Sequence, residues 1–208
     1  MSGTRIDTII FDLGGVLIDW NPRHLYRKIF KTEEEIEWFL NNVCTPEWND
    51  LQDAGRSFDA ATKELLIKFP EHSVAINAWY GRWKETIGGP ISGTVEILRS
   101  IRQARKHRLY ALTNWSAETF PWALENFDFL HWFEGIVVSG VEKTRKPHPE
   151  FFQRLFDRYQ VDPATALLID DNIKNIEGAA NVGLHAVHFQ SADQLKNELQ
   201  ARRILPEN

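Results

Sequence analysis

Short apolar runs alternate with longer amphipathic stretches along this chain, and that alternation predicts an α/β fold. Residues 8–11, 109–112, 135–138 and 166–169 are runs rich in Ile, Val and Leu, each stopped by a turn or by polar residues, and 185–189 is a fifth, weaker run. Runs of this length read as strands buried on both faces of a sheet. Between them, residues 93–107, 116–126, 149–159 and 173–181 carry helical spacing. Gly183 is a plausible stop for the last of these, and Ser191 with Gln194 three residues on opens a final helix in capping-box style. Strand and helix in alternation imply right-handed crossovers, and hence a doubly wound (Rossmann-like) parallel sheet.

One segment breaks the pattern. Residues 21–88 show helical periodicity and no convincing strand. Thr32-Glu33-Glu34-Glu35 is a capping box leading into Ile36, Phe39 and Leu40, which share one helix face. Residues 58–69 and 74–87 read similarly, and Gly88-Gly89-Pro90 punctuates sharply before the core resumes. The expectation is a small all-helical cap at 21–88, inserted after the first strand of an α/β core formed by 1–20 and 89–208.

In open parallel sheets, ligands bind at the carboxyl ends of the strands. The polar residues at those ends are Asp12, then Thr113-Asn114, then Lys146 after the third run, then Asp170-Asp171. Each has an ordinary alternative as a helix cap, a turn or a solvated lysine. Three acids, a hydroxyl, an amide and a lysine at one rim nevertheless suit a hard cation and a phosphoryl group. Magnesium takes oxygen ligands, a carboxylate beside it can attack phosphorus, and lysine and hydroxyl groups can neutralise the phosphoryl oxygens.

Composition narrows the classes. With 208 residues, 43% hydrophobic and 25% charged, the chain has room for one substantial core and a modest insertion. A formal net charge of −5 gives no electrostatic footprint for nucleic acid. The single cysteine, Cys44, excludes an intrachain disulfide and a multi-cysteine zinc site. No apolar run approaches the ~20 residues of a membrane span, and no signal peptide is visible, so a cytoplasmic location is expected. Oligomeric state is not legible. Of the eight tryptophans, most are expected in the core, with one or two lining a cleft.

These motifs resemble those of the haloacid dehalogenase superfamily, in the subgroup with a small helical cap after the first strand. Phe11-Asp12-Leu13-Gly14-Gly15-Val16 is similar to the first motif, Thr113 to the second, Lys146-Pro147 to the third and Asp170-Asp171 to the fourth. The resemblance implies that Asp12 is nucleophile and metal ligand. It implies Mg2+ held by Asp12, the backbone carbonyl of Gly14, Asp171 and Asp170, the last directly or through water. Thr113 and Lys146 would hold the phosphoryl oxygens, with Asn114 beside them, and the substrate would be a small phosphorylated molecule. Asn175 and Glu177 would position the fourth-motif loop.

The first motif departs from the family at one position. Family phosphatases carry a second aspartate where this chain has Gly14, and that aspartate protonates the leaving group. A positioned acid of this kind is worth roughly 10²–10⁴ in rate. One reading keeps phosphatase activity, either on restricted substrates with a good leaving group, such as an acyl or anomeric phosphate, or with a substitute acid from the cap, for which His24, Glu47 and Asp50 are the titratable candidates. Another is a metal-independent 2-haloacid dehalogenase working through an aspartyl ester. That reading suits Gly14, but it leaves Asp170 and Asp171 as a repulsive pair beside Asp12. The third is a catalytically reduced protein that binds a phosphorylated ligand.

Overall fold

The computed structural model describes residues 5–206. In chain order the elements are β1 (Thr8–Phe11), β2 (Ile18–Trp20), α1 (Arg23–Tyr26), α2 (Glu33–Asn42), α3 (Pro46–Asp53), α4 (Phe58–Lys68), α5 (Ser73–Gly81) and β3 (Ile87–Pro90). There follow α6 (Ser92–Ala104), β4 (Arg108–Thr113), α7 (Phe120–Asn126), β5 (Gly135–Val138), α8 (Ser139–Glu142) and α9 (Pro149–Tyr159). The chain closes with β6 (Ala166–Asp170), α10 (Ile173–Asn181), β7 (His185–His188) and α11 (Ala192–Ala201).

The main sheet has the order β5-β4-β1-β6-β7, with every neighbouring pair parallel. The chain winds outward from β1 through β4 to β5, then crosses back to β6 and β7. This is the doubly wound α/β architecture that the apolar runs predict. Alternate residues of the strands feed two separate cores. Ile9, Phe11, Leu109, Ala111, Leu167 and Ile169 face α6 and α11. Ile10, Tyr110, Leu112, Val137 and Leu168 face Phe151, Phe152 and Leu155 of α9. Burial on both faces is why these strands are continuous apolar runs.

The helices from α1 to α5 enclose a third apolar cluster built on Tyr26, Ile36, Phe39, Trp48, Leu65, Ile76 and Trp79. Thr32 accepts from the Glu35 N–H while the Glu35 carboxylate accepts from the Thr32 N–H, completing the capping box. Thr45 caps α3 by accepting from the Trp48 N–H, and Ser57 caps α4 by accepting from the Ala60 N–H. A two-stranded antiparallel ribbon, β2 against β3, leads into and out of these helices. It was not expected, because strands of three and four residues, one written Ile-Gly-Gly-Pro, carry no alternation to read. Among the described residues no helix is long and apolar enough to cross a membrane.

Candidate active site

Sheet register sets the floor of the site. Phe11 lies level with Ala111 on β4 and with Ile169 on β6. The next residue, Asp12, therefore comes abreast of Asp170, and Thr113 ends β4 on the other side. The Asp12 N–H donates to the Ile169 carbonyl at 2.8 Å, carrying the strand direction through this position. Carboxylate oxygens of Asp12, Asp170 and Asp171 all lie within 4.8 Å of one another.

Lys146 enters from the loop before α9 and is fully buried. Its ammonium lies 3.0 Å from Asp12 Oδ2 and 2.6 Å from Asp170 Oδ2. Burial works against its charge, but Asp12 and Asp170 outweigh burial and hold its pKa above the ordinary lysine range. Asn114 sets the lysine's backbone: its amide donates to the Lys146 carbonyl at 3.0 Å and accepts from the Lys146 N–H at 2.9 Å. The sequence expectation placed Asn114 among the phosphate contacts; the structure gives its amide this positioning role. Gly178 of α10 permits close approach of the helix to the same loop, since a Cβ there would come within 2.7 Å of Pro147.

The remaining acids differ in what they are free to do. Asp170 is buried and accepts from Lys146, from the Asn172 N–H at 2.9 Å and from the Asn175 amide at 3.0 and 3.2 Å. Those bonds occupy its lone-pair positions. Asp12 and Asp171 instead line the open cleft. Burial pushes Asp12 up to about 8; Lys146 opposes that, and Asp170 and Asp171 reinforce it. Desolvation and Asp170 raise Asp171 as well. Three carboxylates held this close repel, and they fit a hard divalent cation with oxygen ligands. Gly15, at φ +74°, belongs to the same arrangement, because a Cβ on it would overlap the Asp171 carboxylate. Thr113 is fully buried, and its hydroxyl has no hydrogen-bond partner among the described residues. A buried, unsatisfied hydroxyl is expensive unless a ligand completes it.

Above this floor opens a cleft of about 690 Å3, roofed by residues of α1 to α5. Four of the eight tryptophans line it, namely Trp20, Trp79, Trp83 and Trp115, more than the sequence led us to expect. Of the proposed cap acids, His24 is paired with Asp19 at 3.0 Å and Glu47 is exposed, and neither lines the cleft. Asp50 does line it, but is paired with Arg145 at 2.7 Å. Sequence reasoning missed Asp53, one turn further along α3. It lines the cleft, accepts from the Asn49 amide at 3.1 Å and has no cationic partner within ion-pair distance among the described residues. Burial, then Asp50, push it up to about 7, against the opposing pull of Arg145 and the Ser116 N–H. The Asn49–Asp53 spacing on one helix was the only signal available, and it says nothing about the cleft.

A parallel sheet with an acid-lysine-acid rim and a roofed cleft defines a class, and residues 6–183 match the haloacid dehalogenase-like hydrolases. The chain belongs to that family. It is similar to the sesquiterpene phosphatase astK of Aspergillus oryzae, at 25% identity over 97% of this chain and 98% of the relative. It is also similar to the N-acylneuraminate-9-phosphatase of Rattus norvegicus, at 30% identity over 89% of this chain and 83% of the relative. Among solved structures, a haloacid dehalogenase-family enzyme of Bacteroides thetaiotaomicron, crystallised as a magnesium complex, superposes with TM-score 0.72 at 18% identity, covering 94% of this chain and 98% of that one.

Proposed function

We propose that this hydrolase is a magnesium-dependent phosphatase of small phosphorylated molecules, working through an aspartyl-phosphate on Asp12. The observation that carries the reading is the buried Lys146 braced between Asp12 and Asp170, with Asp171 completing a cluster of acids. A dehalogenase needs a carboxylate nucleophile and no cation. Burial and two neighbouring acids work against such a nucleophile here, which favours the metal enzyme. The phosphatase names of relatives matched over most of their length support the same reading.

The proposed roles follow from which groups have capacity to spare. Asp12 and Asp171, with the Gly14 carbonyl, would hold the ion directly, and Asp170, set further back against Lys146 and Asn175, would hold it directly or through water. When bound, magnesium would supply the positive charge that keeps Asp12 ionised and offsets the phosphoryl oxygens. Lys146 and the Thr113 hydroxyl would hold those oxygens. An Asp12 carboxylate oxygen would then bond to phosphorus as the ester P–O bond breaks. Asp53, poised near neutrality, would give its proton to the departing alkoxide. It would later take a proton from the water that attacks phosphorus, freeing phosphate and restoring Asp12. Residues 21–88 would serve as a cap over the core of 1–20 and 89–208. The Asp50–Arg145 pair and the 2.8 Å bond from the Phe58 N–H to Glu118 would tie the cap down.

The test is a panel of phosphate esters with magnesium or with EDTA, run beside halide release from 2-chloropropionate. Magnesium-dependent phosphate release that disappears in Asp12→Asn is the expected result. EDTA-insensitive halide release would overturn the reading in favour of the dehalogenase. Silence in both assays with phosphate binding intact would leave a binding protein.

A further inference from the structure

The walls of the cleft differ from its floor. Trp20, Leu40, Phe58, Trp79, Tyr80 and Trp115 present apolar surface to it. Phe58 and Tyr80 stack nearly parallel at 3.6 Å, which makes one wall flat and rigid. Polar residues also reach the walls, and most have an internal partner, although the Tyr80 hydroxyl has none among the described residues. Arg23 is held by both oxygens of Glu37 at 2.5 and 2.7 Å, and Asp50 by Arg145. The Asn41 amide donates to the Glu37 carbonyl at 2.7 Å, and Asn49 donates to Asp53. Thr119 accepts from the Trp115 indole at 3.1 Å, and Ser116 from the Glu118 N–H at 3.2 Å.

Charge selects in the same direction. Arg23 is the only lysine or arginine lining the cleft among the described residues, and it is already neutralised. A second phosphate or a carboxylate on the substrate would meet no available lysine or arginine on the walls. A polyhydroxylated leaving group would have to place most of its hydroxyls against aromatic faces. A hydrocarbon would lose nothing and would cover aromatic faces.

We propose that the leaving group is a neutral, largely hydrocarbon alcohol, so that the substrate is the phosphate monoester of an apolar alcohol with no second charge. This rests on the phosphatase reading above. Such an alkoxide is a poor leaving group and needs a proton at its oxygen, the service assigned to Asp53.

The test is a homologous series of n-alkyl phosphates from ethyl to dodecyl, each below its micelle concentration, assayed with magnesium beside nitrophenyl phosphate, a sugar phosphate and an ω-carboxyalkyl phosphate. Each methylene buried should raise kcat/KM by up to about fourfold until the cleft is full. The ω-carboxylate should cancel the gain. Phe58→Lys, which puts a cation on the half-buried wall, should reduce the gain per methylene. Tryptophan fluorescence of Asp12→Asn titrated with the same alkyl phosphates reads affinity without turnover, and it should tighten with chain length. A flat series, or preference for the sugar phosphate, while nitrophenyl phosphate is hydrolysed would overturn this inference and leave the phosphatase standing. No magnesium-dependent hydrolysis of any ester would overturn the phosphatase reading, and a fluorescence titration without chain-length dependence would overturn the apolar site by itself.

Discussion

Restoring the missing acid at Gly14 tests where the proton comes from. The structure allows the change: a Cβ on Gly14 would meet nothing within 4 Å, and its φ lies outside the left-handed region. Gly14→Asp therefore carries no packing penalty at Cβ, and its cost is one more negative charge near Asp12 and Asp171. If the proton were simply lacking, the new acid should accelerate cleavage of alkyl phosphates by roughly 10²–10⁴, about 3–5 kcal/mol of barrier. If Asp53 already supplies it, Gly14→Asp in the otherwise native protein should change the alkyl rate by less than tenfold. Asp53→Asn should then lose most of that 10²–10⁴ on alkyl phosphates and little on nitrophenyl phosphate, whose leaving group departs unprotonated. The double variant should recover alkyl turnover, so the cycle shows a large favourable coupling between sites on opposite sides of the cleft. The assay is kcat/KM for both esters in all four proteins, with melting temperatures recorded to exclude unfolding. A gain of 100-fold or more from Gly14→Asp with Asp53 intact would refute the assignment. So would an Asp53→Asn protein that hydrolyses alkyl phosphates normally.

Three further outcomes follow from the same geometry. Thr113→Val removes a buried hydroxyl that has no partner among the described residues; chemical denaturation should find stability unchanged or raised, while steady-state kinetics show at least a tenfold loss of turnover. Lys146→Met leaves Asp12 and Asp170 buried without their cation, and urea unfolding in EDTA at pH 8 should show a loss of about 3–5 kcal/mol. Folded Asp12 and Asp53 titrate above their ordinary value, so the stability each contributes is present below about pH 4 and lost as pH rises toward about 7 to 8. The melting temperature in EDTA should therefore fall across that window, and magnesium should restore more of it at pH 8 than at pH 5. Held at about 7 against an ordinary 3.8, Asp53 costs the fold at pH 8 at most about 4 kcal/mol by linkage, which local relaxation reduces to roughly 1–2 kcal/mol. Asp53→Asn should accordingly melt a few degrees higher at pH 8 and no higher at pH 5.

The floor of the site was legible in the amino-acid sequence for a physical reason. A strand buried on both faces is an apolar run, and the polar residue that ends it projects from the sheet's carboxyl edge. Asp12, Thr113 and Asp170 are such residues, and parallel register brings Asp12 abreast of Asp170 without any side-chain interaction. Elsewhere the local signal misled or was silent. The helix expected from residue 116 begins at Phe120, after a turn in which the Trp115 N–H donates to Ser139 and the Ser116 hydroxyl accepts from the Glu118 N–H. Asn114 is drawn to the backbone of Lys146, 32 residues away, where turn chemistry gave no reason to look.

The walls were not legible, because no segment of the chain contains a wall. Trp20 comes from β2, Leu40 from α2, Phe58 and Tyr80 from α4 and α5, and Trp115 from the loop after β4. Each is an ordinary apolar or aromatic residue within its own segment, and only their assembly makes a surface of aromatic faces. Asp53 shows the same limit in a titratable group. Its neighbours in sequence mark it as a solvated residue near the end of a helix, whereas burial beneath the cleft and the nearby Asp50 hold its proton near neutrality. A backbone can announce where a nucleophile stands, since strands end where they end. The group that nucleophile would expel is chosen by surfaces that exist only after folding, so Gly14 reads as a loss in the sequence and, on the proposed reading, as a function that Asp53 would take over.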